Sequence, residues 1–497
     1  MTTISTSRLF AIAFWTVGAA FLAYVFARAW LIPVTHDEAT TSLLLSRQNY
    51  VQLITYRYDY ISANNHVLNS LLAKFFSDIT GGLSPLAIRS GNLLGAVLYL
   101  LTGYVIFTKL LTTNLVRIVG VVLWLGNPYL AEFFALSRGY GISVATEAAA
   151  VCLGALYLKN DTARKHFYLT IACVCAILSV WANFTALYFY LCFVIFLGVK
   201  MLWKYRDNRK DFKILARSSL VLAFLIVLPL SRLSQVGDFK GFGNYGFFND
   251  TVRGFAKSFF VGQQYFGPGT LIFAQWVLIL LFIASCISAL VLWRRSAGKM
   301  TSQVWLLALF PATFVVYLLV TLVTNSSFLT TRTTLFFYPL LVFSILILFN
   351  LAERRSSKFA WGIAIFILPF WVFNFFKNAN LTHTYEWDYD RDTYTVLNFI
   401  EKTYDAESRT APYSLRCHCL QHPSFKFYID WMKSPRYSRV ITPDVQEVPC
   451  TIGSPVDNNV DFYYVPDKQL EHFRAGYDVV LELSDANEKR VLLRKKG

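Results

Sequence analysis

The sequence predicts an all-α membrane domain of about 11 transmembrane helices, followed by a small α/β domain at the C-terminus. Of the 497 residues, 55% are hydrophobic and only 15% are charged, and the mean hydropathy is +0.45. These values are typical of polytopic membrane proteins and exclude an ordinary soluble enzyme. The second observation is a series of apolar stretches, each long enough to cross a hydrocarbon core of about 30 Å.

The apolar stretches define the predicted spans one by one. They lie at about 9–32, 85–110, 117–134, 141–158, 167–182, 184–203, 214–232, 271–293, 304–324, 333–350 and 359–376. The first stretch is too long for a signal-peptide core, and no small-residue cleavage site follows it, so we expect it to stay in the mature protein.

Basic loops indicate how the spans are oriented. The formal net charge of +16 could indicate nucleic-acid binding, but the excess falls in every second loop, which is the positive-inside pattern of membrane proteins. The basic residues of these loops are Lys109 and Arg117; Lys159, Arg164 and Lys165; Lys204, Arg206, Arg209, Lys210 and Lys213; Arg294, Arg295 and Lys299; Arg354, Arg355 and Lys358. We therefore expect a lipid bilayer and no nucleic acid as partner, with the N-terminus cytoplasmic and the C-terminal tail outside.

Two domains are predicted, a membrane domain at 1–377 and an external α/β domain at 378–497. The tail is long enough to fold as a unit. Its predicted elements are strands at 461–465, 477–483 and 490–493 and a helix at 393–404.

The outer loops of the membrane domain differ in character. Within the first, at about 33–84, the spacing of apolar residues in Val67–Ile79 predicts an amphipathic helix in the membrane interface, and Asp37–Ser46 fits a second short helix. The loop at 233–270 is rich in glycine and aromatic residues, so it is either a mobile cover or an irregular packed loop.

Two adjacent carboxylates, Asp37 and Glu38, follow the first span and are the candidate catalytic residues. Charged groups at a membrane edge are costly unless they face water, a partner or a substrate. A carboxylate can take the proton of an acceptor hydroxyl, and neighbouring carboxylates raise each other's proton affinity. The structural alternative is that Asp37 caps the start of a helix.

Candidate substrate-binding residues follow. Asn64-Asn65-His66 heads the amphipathic helix and suits a sugar or a phosphate, although asparagine there is also a common helix cap. The motif Ser137-Arg138-Gly139-Tyr140-Gly141 lies between spans three and four, and Arg332 lies at the outer start of span ten. The planar donor fork of arginine suits phosphate oxygens.

Structural alternatives stay open for these charged residues. Both arginines lie on the side that the positive-inside rule disfavours, which makes snorkelling to lipid headgroups the weaker explanation. Glu132 and Glu147, in or near spans three and four, either contact substrate or form a buried ion pair with Arg138.

Three cysteines lie in the tail, where an external location favours oxidation. Cys417-His418-Cys419 with His422 has metal-ligand residue types, but its spacing is unlike common zinc pairs. We therefore expect no metal there and a disulfide from Cys450 to Cys417 or Cys419.

The layout of nearly the whole membrane region resembles the GT-C superfamily of glycosyltransferases, in particular the protein O-mannosyltransferases and the bacterial lipid A aminoarabinose transferases. Asp37-Glu38 matches the Asp-Glu pair at which that family carries its proposed base. Asn65-His66-Val67-Leu68 partly matches a His-Pro-Pro-Leu landmark without its prolines, and Arg332 followed by Pro339 resembles the family's late arginine.

The resemblance implies a function. The donor would be a polyprenyl-phosphate-linked monosaccharide, hexosyl or pentosyl, and the acceptor a hydroxyl of a glycan, lipid or protein. A carboxylate would deprotonate the acceptor, which attacks the anomeric carbon with inversion, while arginines stabilise the leaving phosphate. No metal or other cofactor is required, and the expected location is the bacterial inner membrane.

Three other functions are compatible with the sequence. A transporter or flippase for a lipid-linked sugar often has internal repeats and broken helices at mid-membrane, and no repeat is evident. A lipid-linked-oligosaccharide ligase differs in the size of its donor. A non-catalytic assembly subunit would present its outer domain, and it has less need for the polar residues that cluster at one face.

Overall fold

The computed structural model describes residues 6–58, 61–159, 164–203, 205–236, 243–260, 267–450, 456–484 and 488–497. The helices before the C-terminal region are α1 Thr6–Leu31, α2 His36–Arg47, α3 Tyr50–Thr55, α4 Val67–Ile79, α5 Pro85–Lys109, α6 Asn114–Leu125, α7 Pro128–Phe134, α8 Gly139–Lys159, α9 Lys165–Ala182, α10 Leu187–Trp203, α11 Tyr205–Val236, α12 Arg253–Phe259, α13 Pro268–Arg295, α14 Ser302–Thr324, α15 Phe337–Arg355 and α16 Ser357–Asn378. The C-terminal region adds α17 Thr393–Ala406, α18 His422–Lys426 and α19 Pro435–Ser438, with strands β1 Leu415–His418, β2 Gln446–Val448, β3 Phe462–Pro466, β4 Tyr477–Ser484 and β5 Lys489–Lys495.

Ten helices in the described part of the chain are long and apolar enough to cross a membrane, so the chain is an integral membrane protein. They are α1, α5, α8, α9, α10, α11, α13, α14, α15 and α16, and they match ten predicted spans. The predicted span at 117–134 is instead two helices, α6 and α7, bent by 58°, and it makes the eleventh span if the pair crosses as one.

The bend between α6 and α7 has a local cause in three consecutive residues. Gly126 ends α6, and Pro128 occupies the first turn of α7, where its missing N–H costs nothing. Between them the Asn127 side chain accepts a hydrogen bond of 2.9 Å from the Leu130 N–H and so caps α7.

The chain packs into two compact units. The bundle unit comprises residues 1–26, 54–69 and 91–379, and the sheet unit comprises residues 27–53, 70–90 and 380–497. The sheet unit therefore includes α2 and the first turn of α5 as well as the C-terminal tail.

Close aromatic packing joins neighbouring helices within the bundle unit. The rings of Tyr99 on α5 and Trp124 on α6 stack with centroids 4.2 Å apart. Trp124 Nε1 donates to the Tyr99 carbonyl at 3.1 Å, and the Tyr99 hydroxyl donates to the Trp124 carbonyl at 3.2 Å. Because the polar side-chain groups of both residues are hydrogen-bonded within the pair, the pair is suited to a membrane interior.

The sheet unit contains a five-stranded sheet in the order β2-β1-β3-β5-β4. Strand β1 is parallel to β2 and β3, whereas β5 is antiparallel to β3 and β4. Every residue of β3 is buried, so both faces of the sheet are covered at its centre. On one face the cross-strand pairs Tyr463–Leu493 and Val465–Val491 lie in an apolar core with Phe473.

The predicted elements of the outer segments are present. The two helices expected near Asp37–Ser46 and Val67–Ile79 are α2 and α4, and the three predicted tail strands are β3, β4 and β5. In the glycine-rich loop, the Asp250 carboxylate accepts hydrogen bonds from the N–H groups of Tyr245 at 2.6 Å and Gly246 at 2.9 Å. Of the two alternatives for this loop, its described residues 243–260 therefore favour the packed one.

Candidate functional site

The two predicted catalytic carboxylates occupy the first turn of α2 and have different surroundings. Glu38 is fully buried, and its Oε2 accepts hydrogen bonds from the Thr35 backbone N–H at 3.0 Å and the Thr35 hydroxyl at 3.2 Å. Arg89 forms two hydrogen bonds with the same carboxylate. Its Nε donates to Oε1 at 2.8 Å, and its Nη2 donates to Oε2 at 2.7 Å. Both oxygens of Glu38 are thus engaged in a buried ion pair, which favours Asp37 over Glu38 as the base, and the catalytic role of either carboxylate stays a prediction.

Arg89 uses all five of its N–H donors in this arrangement. Besides Glu38, it donates to the carbonyl oxygens of Ala29 at 2.9 Å, Ile32 at 2.8 Å and Pro33 at 2.9 Å, at the C-terminal end of α1. These carbonyls have no partner within the helix. The positive charge of Arg89 also interacts favourably with the negative C-terminal end of the helix dipole. Arg89 was not among the residues predicted for the site, although a charged residue within the first turns of a predicted span is a signal for such a role.

Asp37 is partly exposed and is left as the candidate base of the pair. A second carboxylate that the sequence analysis missed, Asp390, lies near it in the sheet unit and accepts hydrogen bonds from the His36 N–H and the Ser424 hydroxyl, both at 2.7 Å. Burial raises the pKa of Asp390 well above its ordinary value, and the Asp37 carboxylate adds to the rise. The three aspartates at positions 388, 390 and 392, about ten residues after the last span, are the sequence signal for this residue.

The chain leading into α2 is fixed by the C-terminal tail within the sheet unit. The Val34 N–H donates to the Tyr428 hydroxyl at 2.8 Å, and His36 Nδ1 lies 2.8 Å from the Leu420 carbonyl oxygen. Together with the bond from His36 N–H to Asp390, these contacts set the backbone on which Asp37 stands.

In the bundle unit, two of the predicted binding residues, Arg138 and Arg332, interact electrostatically with a third, His66. His66 lies just before α4 and is buried, Arg138 is buried just before α8, and Arg332 lies in the short turn Thr331–Thr334. Burial lowers the pKa of His66 well below its ordinary value, and the positive charges of Arg138 and Arg332 lower it further. Two arginines far apart in the sequence thus place their charges near one imidazole.

The backbone that carries Arg138 is held by asparagines. The Asn69 amide donates to the Ser137 carbonyl at 3.1 Å, and the Asn92 amide donates to the Asn69 side chain at 2.7 Å. A Cβ on Gly139 would overlap the Ala182 carbonyl oxygen and would lie 2.7 Å from the His66 Cβ. Glycine is therefore required at position 139 by close packing against His66.

The remaining predicted residues of the bundle unit are also buried. The Tyr140 ring meets the His66 ring edge-on at 5.1 Å, and the Asn65 amide donates to the Tyr58 hydroxyl at 2.8 Å. Glu132 is fully buried in α7. Neither carboxylate oxygen of Glu147 has a hydrogen-bond partner among the described residues, so the alternative in which Glu147 pairs with Arg138 is not supported.

Cys419 and Cys450 form a disulfide, which confirms the predicted pairing of Cys450. Both sulfurs lie close to His418, so these three residues have the types and proximity of metal ligands. The disulfide occupies two of the three ligand atoms, and Cys417 is a buried free thiol.

Comparisons with known proteins show a related fold. No protein-family model matches the chain, and no curated protein matches it. The fold is similar to that of ArnT from Cupriavidus metallidurans bound to undecaprenyl phosphate, with a TM-score of 0.53 at 10% identity over 98% of each chain. At that identity the likeness shows a shared fold, which agrees with the predicted helical membrane domain followed by a small α/β domain.

Two further solved structures have lower similarity. ArnT from the same organism in the apo state has a TM-score of 0.43 at 10% identity over 98% of each chain. The Archaeoglobus fulgidus oligosaccharyltransferase has a TM-score of 0.41 at 11% identity, covering 95% of this chain and 72% of that one.

Proposed function

We propose that the chain is a membrane glycosyltransferase that moves a monosaccharide from a polyprenyl-phosphate carrier to an acceptor hydroxyl. The observation that carries this proposal is that the charges of Arg138 and Arg332 both act on the buried His66 in a membrane bundle. Two guanidinium groups whose charges reach the same imidazole suit a phosphate, and a lipid phosphate is one that can enter from the bilayer. The shared fold with ArnT, whose structure holds undecaprenyl phosphate, supports a polyprenyl carrier.

The proposed chemistry assigns one task to each charged residue. Asp37 accepts the proton of the acceptor hydroxyl while that oxygen attacks the anomeric carbon of the donor. The bond from the anomeric carbon to the phosphate oxygen breaks, and single displacement inverts the anomeric centre. Arg138 and Arg332 stabilise the negative charge that grows on the phosphate.

The remaining assignments follow from the sequence. We assign Asn65, Tyr140 and Glu132 to the surroundings of the sugar and phosphate. The positive-inside loops favour a site on the outer face of the bacterial inner membrane, with the C-terminal domain on that side. The acceptor is a hydroxyl of a glycan, lipid or protein, and the sugar is a hexose or a pentose.

The direct test is donor consumption. Purified protein in lipid nanodiscs is incubated with a panel of radiolabelled polyprenyl-phosphate sugars and a membrane extract as the source of acceptor. Release of polyprenyl phosphate with label in a new product supports the proposal. In proteoliposomes made from the same protein, label that crosses the membrane with its sugar–phosphate bond intact would instead identify a flippase and would overturn it.

A variant series tests the arginines. Replacing Arg138 or Arg332 by Ala is expected to slow transfer by about 10²–10³-fold, and Lys is expected to rescue only partly, because it lacks the planar donor fork. The double variant should lose less than the product of the two single losses, since both arginines act on one phosphate. Arg354→Ala, an exposed arginine at the end of α15, is the matched control and should keep the wild-type rate.

A further inference from the structure

His66 is enclosed in a way that leaves one ring nitrogen unused. The ring donates a hydrogen bond to the Ala182 carbonyl, and Nε2 is buried with no hydrogen-bond partner in the described part of the chain. Donation to a carbonyl places the proton of the neutral ring on Nδ1, so Nε2 carries a lone pair. Buried polar atoms are usually hydrogen-bonded, so Nε2 is available to a ligand or a water molecule that enters the site.

The groups that face His66 keep it neutral while the site is empty. They are Arg138 from the segment before α8, Arg332 from the turn after α14, and the Tyr140 phenol from α8, with the Ala182 carbonyl at the end of α9. Two positive charges and burial both oppose a third positive charge on the imidazole. An anion that offsets the arginines removes their opposition to a positive charge on His66, so that only burial still favours the neutral ring.

The charge on the lipid phosphate changes during the proposed reaction. A sugar–phosphate–lipid donor is a phosphodiester with one negative charge. The polyprenyl phosphate that leaves is a monoester, whose second ionisation lies near pH 6, so it carries almost two negative charges at neutral pH. The product therefore balances both arginines, whereas the donor balances only one.

We propose that His66 takes up a proton at Nε2 when the released polyprenyl phosphate is held by Arg138 and Arg332. This rests on the proposed function. The proton comes from water, adds a third charge-assisted donor to the leaving phosphate, and returns to water when the lipid leaves. Raising the pH therefore weakens product binding and speeds product release, while donor binding changes little with pH.

The experiment compares two probes on full-length protein in nanodiscs between pH 7 and pH 9, where a free phosphate monoester is already a dianion. Undecaprenyl phosphate is the monoester probe, and the methyl diester of the same lipid carries a single charge. In wild-type protein the monoester dissociation constant should rise with pH, by up to about tenfold per pH unit if one proton is taken up. The diester constant should stay flat. Calorimetry in two buffers of different ionisation enthalpy should show proton uptake with the monoester alone.

His66→Asn isolates the titrating atom, because the Asn amide can still donate to the Ala182 carbonyl but has no Nε2. Its monoester affinity should no longer depend on pH. A slope that persists in this variant, or equal slopes for monoester and diester in wild-type protein, would overturn the proposal. If the variant does not fold, the comparison of the two lipids on wild-type protein still decides. If neither lipid binds wild-type protein at any pH, the proposed function itself fails.

Discussion

At the scale of single residues, the structure separates two neighbours that share a chemical type. The Glu38 carboxylate accepts hydrogen bonds from Arg89 and Thr35, whereas Asp37 is partly exposed and lies near the Asp390 carboxylate. The sequence could indicate that a carboxylate pair follows the first span. It could not indicate which member is structural, because the partner of Glu38 stands 51 residues away on another helix.

Replacing each carboxylate by its amide tests this separation. Glu38→Gln leaves the charge of Arg89 buried beside a neutral group, and we expect a loss of about 3–5 kcal/mol in the free energy of unfolding. Asp37→Asn should leave the thermal midpoint near that of wild type and lower turnover by about 10²–10⁴-fold. Midpoints and initial rates measured on both proteins decide the matter. A stable, inactive Glu38→Gln beside an active Asp37→Asn would reverse the assignment.

His383 in the sheet unit gives a pH dependence that belongs to this scale. Burial lowers its pKa to about 4, and Arg391 and Arg28 add to the shift. Between about pH 6.5 and pH 4, His383 is therefore protonated in the unfolded chain but neutral in the folded chain. The free energy of unfolding that His383 contributes above pH 6.5 is lost as the pH falls from about 6.5 to about 4. His383→Gln should flatten the fall of the thermal midpoint over this window. Parallel curves for the two proteins would show that His383 does not contribute.

At the scale of elements, the turn that carries Arg332 depends on the helix packed against it. Thr331 has a φ of +38°, which is rare for a β-branched residue. Thr251, just before α12, donates to the Leu329 carbonyl at 2.9 Å, and the Leu329 N–H donates to the Tyr317 hydroxyl at 2.8 Å. A Cβ on Gly254 of α12 would lie 2.6 Å from the Thr331 nitrogen. No sequence pattern relates α12 to Arg332, because the contact is one of backbone shape.

Gly254→Ala is expected to move the turn and with it Arg332. A misplacement of about 1 Å can cost on the order of 10² in rate, and we expect a loss of that order in transfer, with weaker binding of polyprenyl phosphate. Gly362→Ala in α16 is the control, since a Cβ there meets nothing within 4 Å. Wild-type binding and turnover in folded Gly254→Ala would show that the turn tolerates the methyl group.

The disulfide joins the end of β1 to the segment after β2. Cys419 and Cys450 are separated by 31 residues, and closing a loop of that length stabilises the fold by about 3–4 kcal/mol in the chain-entropy model. Cys450→Ser should lower the stability of the sheet by that order. Mass spectrometry of non-reduced peptides should find Cys419 linked to Cys450 and Cys417 free. A free thiol at Cys450 in protein isolated without reductant would contradict the pairing.

At the scale of the whole molecule, hydropathy was enough to predict ten of the spans, and the family resemblance predicted a fold like that of ArnT. Strands β1 and β2 were not predicted, because they are only four and three residues long and contain charged residues without alternation. The sequence also could not predict which segments of the chain pack together in the sheet unit. Its contacts join residues 34–36 to residues 390–428, and no local pattern encodes a pairing at such a distance.

Removing residues 380–497 tests how far the sheet unit depends on its tail. Val34 and His36 would lose their partners Tyr428, Leu420 and Asp390. We expect the truncated protein to be cut by protease within residues 33–47, where the full-length protein resists. Equal protection in both proteins would show that Arg89 and Glu38 hold this segment by themselves.

The long separation between these partners also sets an order for making the protein. The ribosome adds about 5–20 residues per second, so Arg89 emerges within roughly 3–10 s of Glu38, whereas the partners of Val34 and His36 follow only after roughly 20–80 s. In the nascent chain, Arg89 can therefore bind Glu38 and the end of α1 early. The hydrogen bonds of Val34 and His36, which hold the backbone next to Asp37, can form only when translation is nearly complete. A chain released before the tail is made is anchored in the membrane but lacks the partners of Val34 and His36. The backbone that carries Asp37 is thus held by the tail only in chains that have been translated to their final segment.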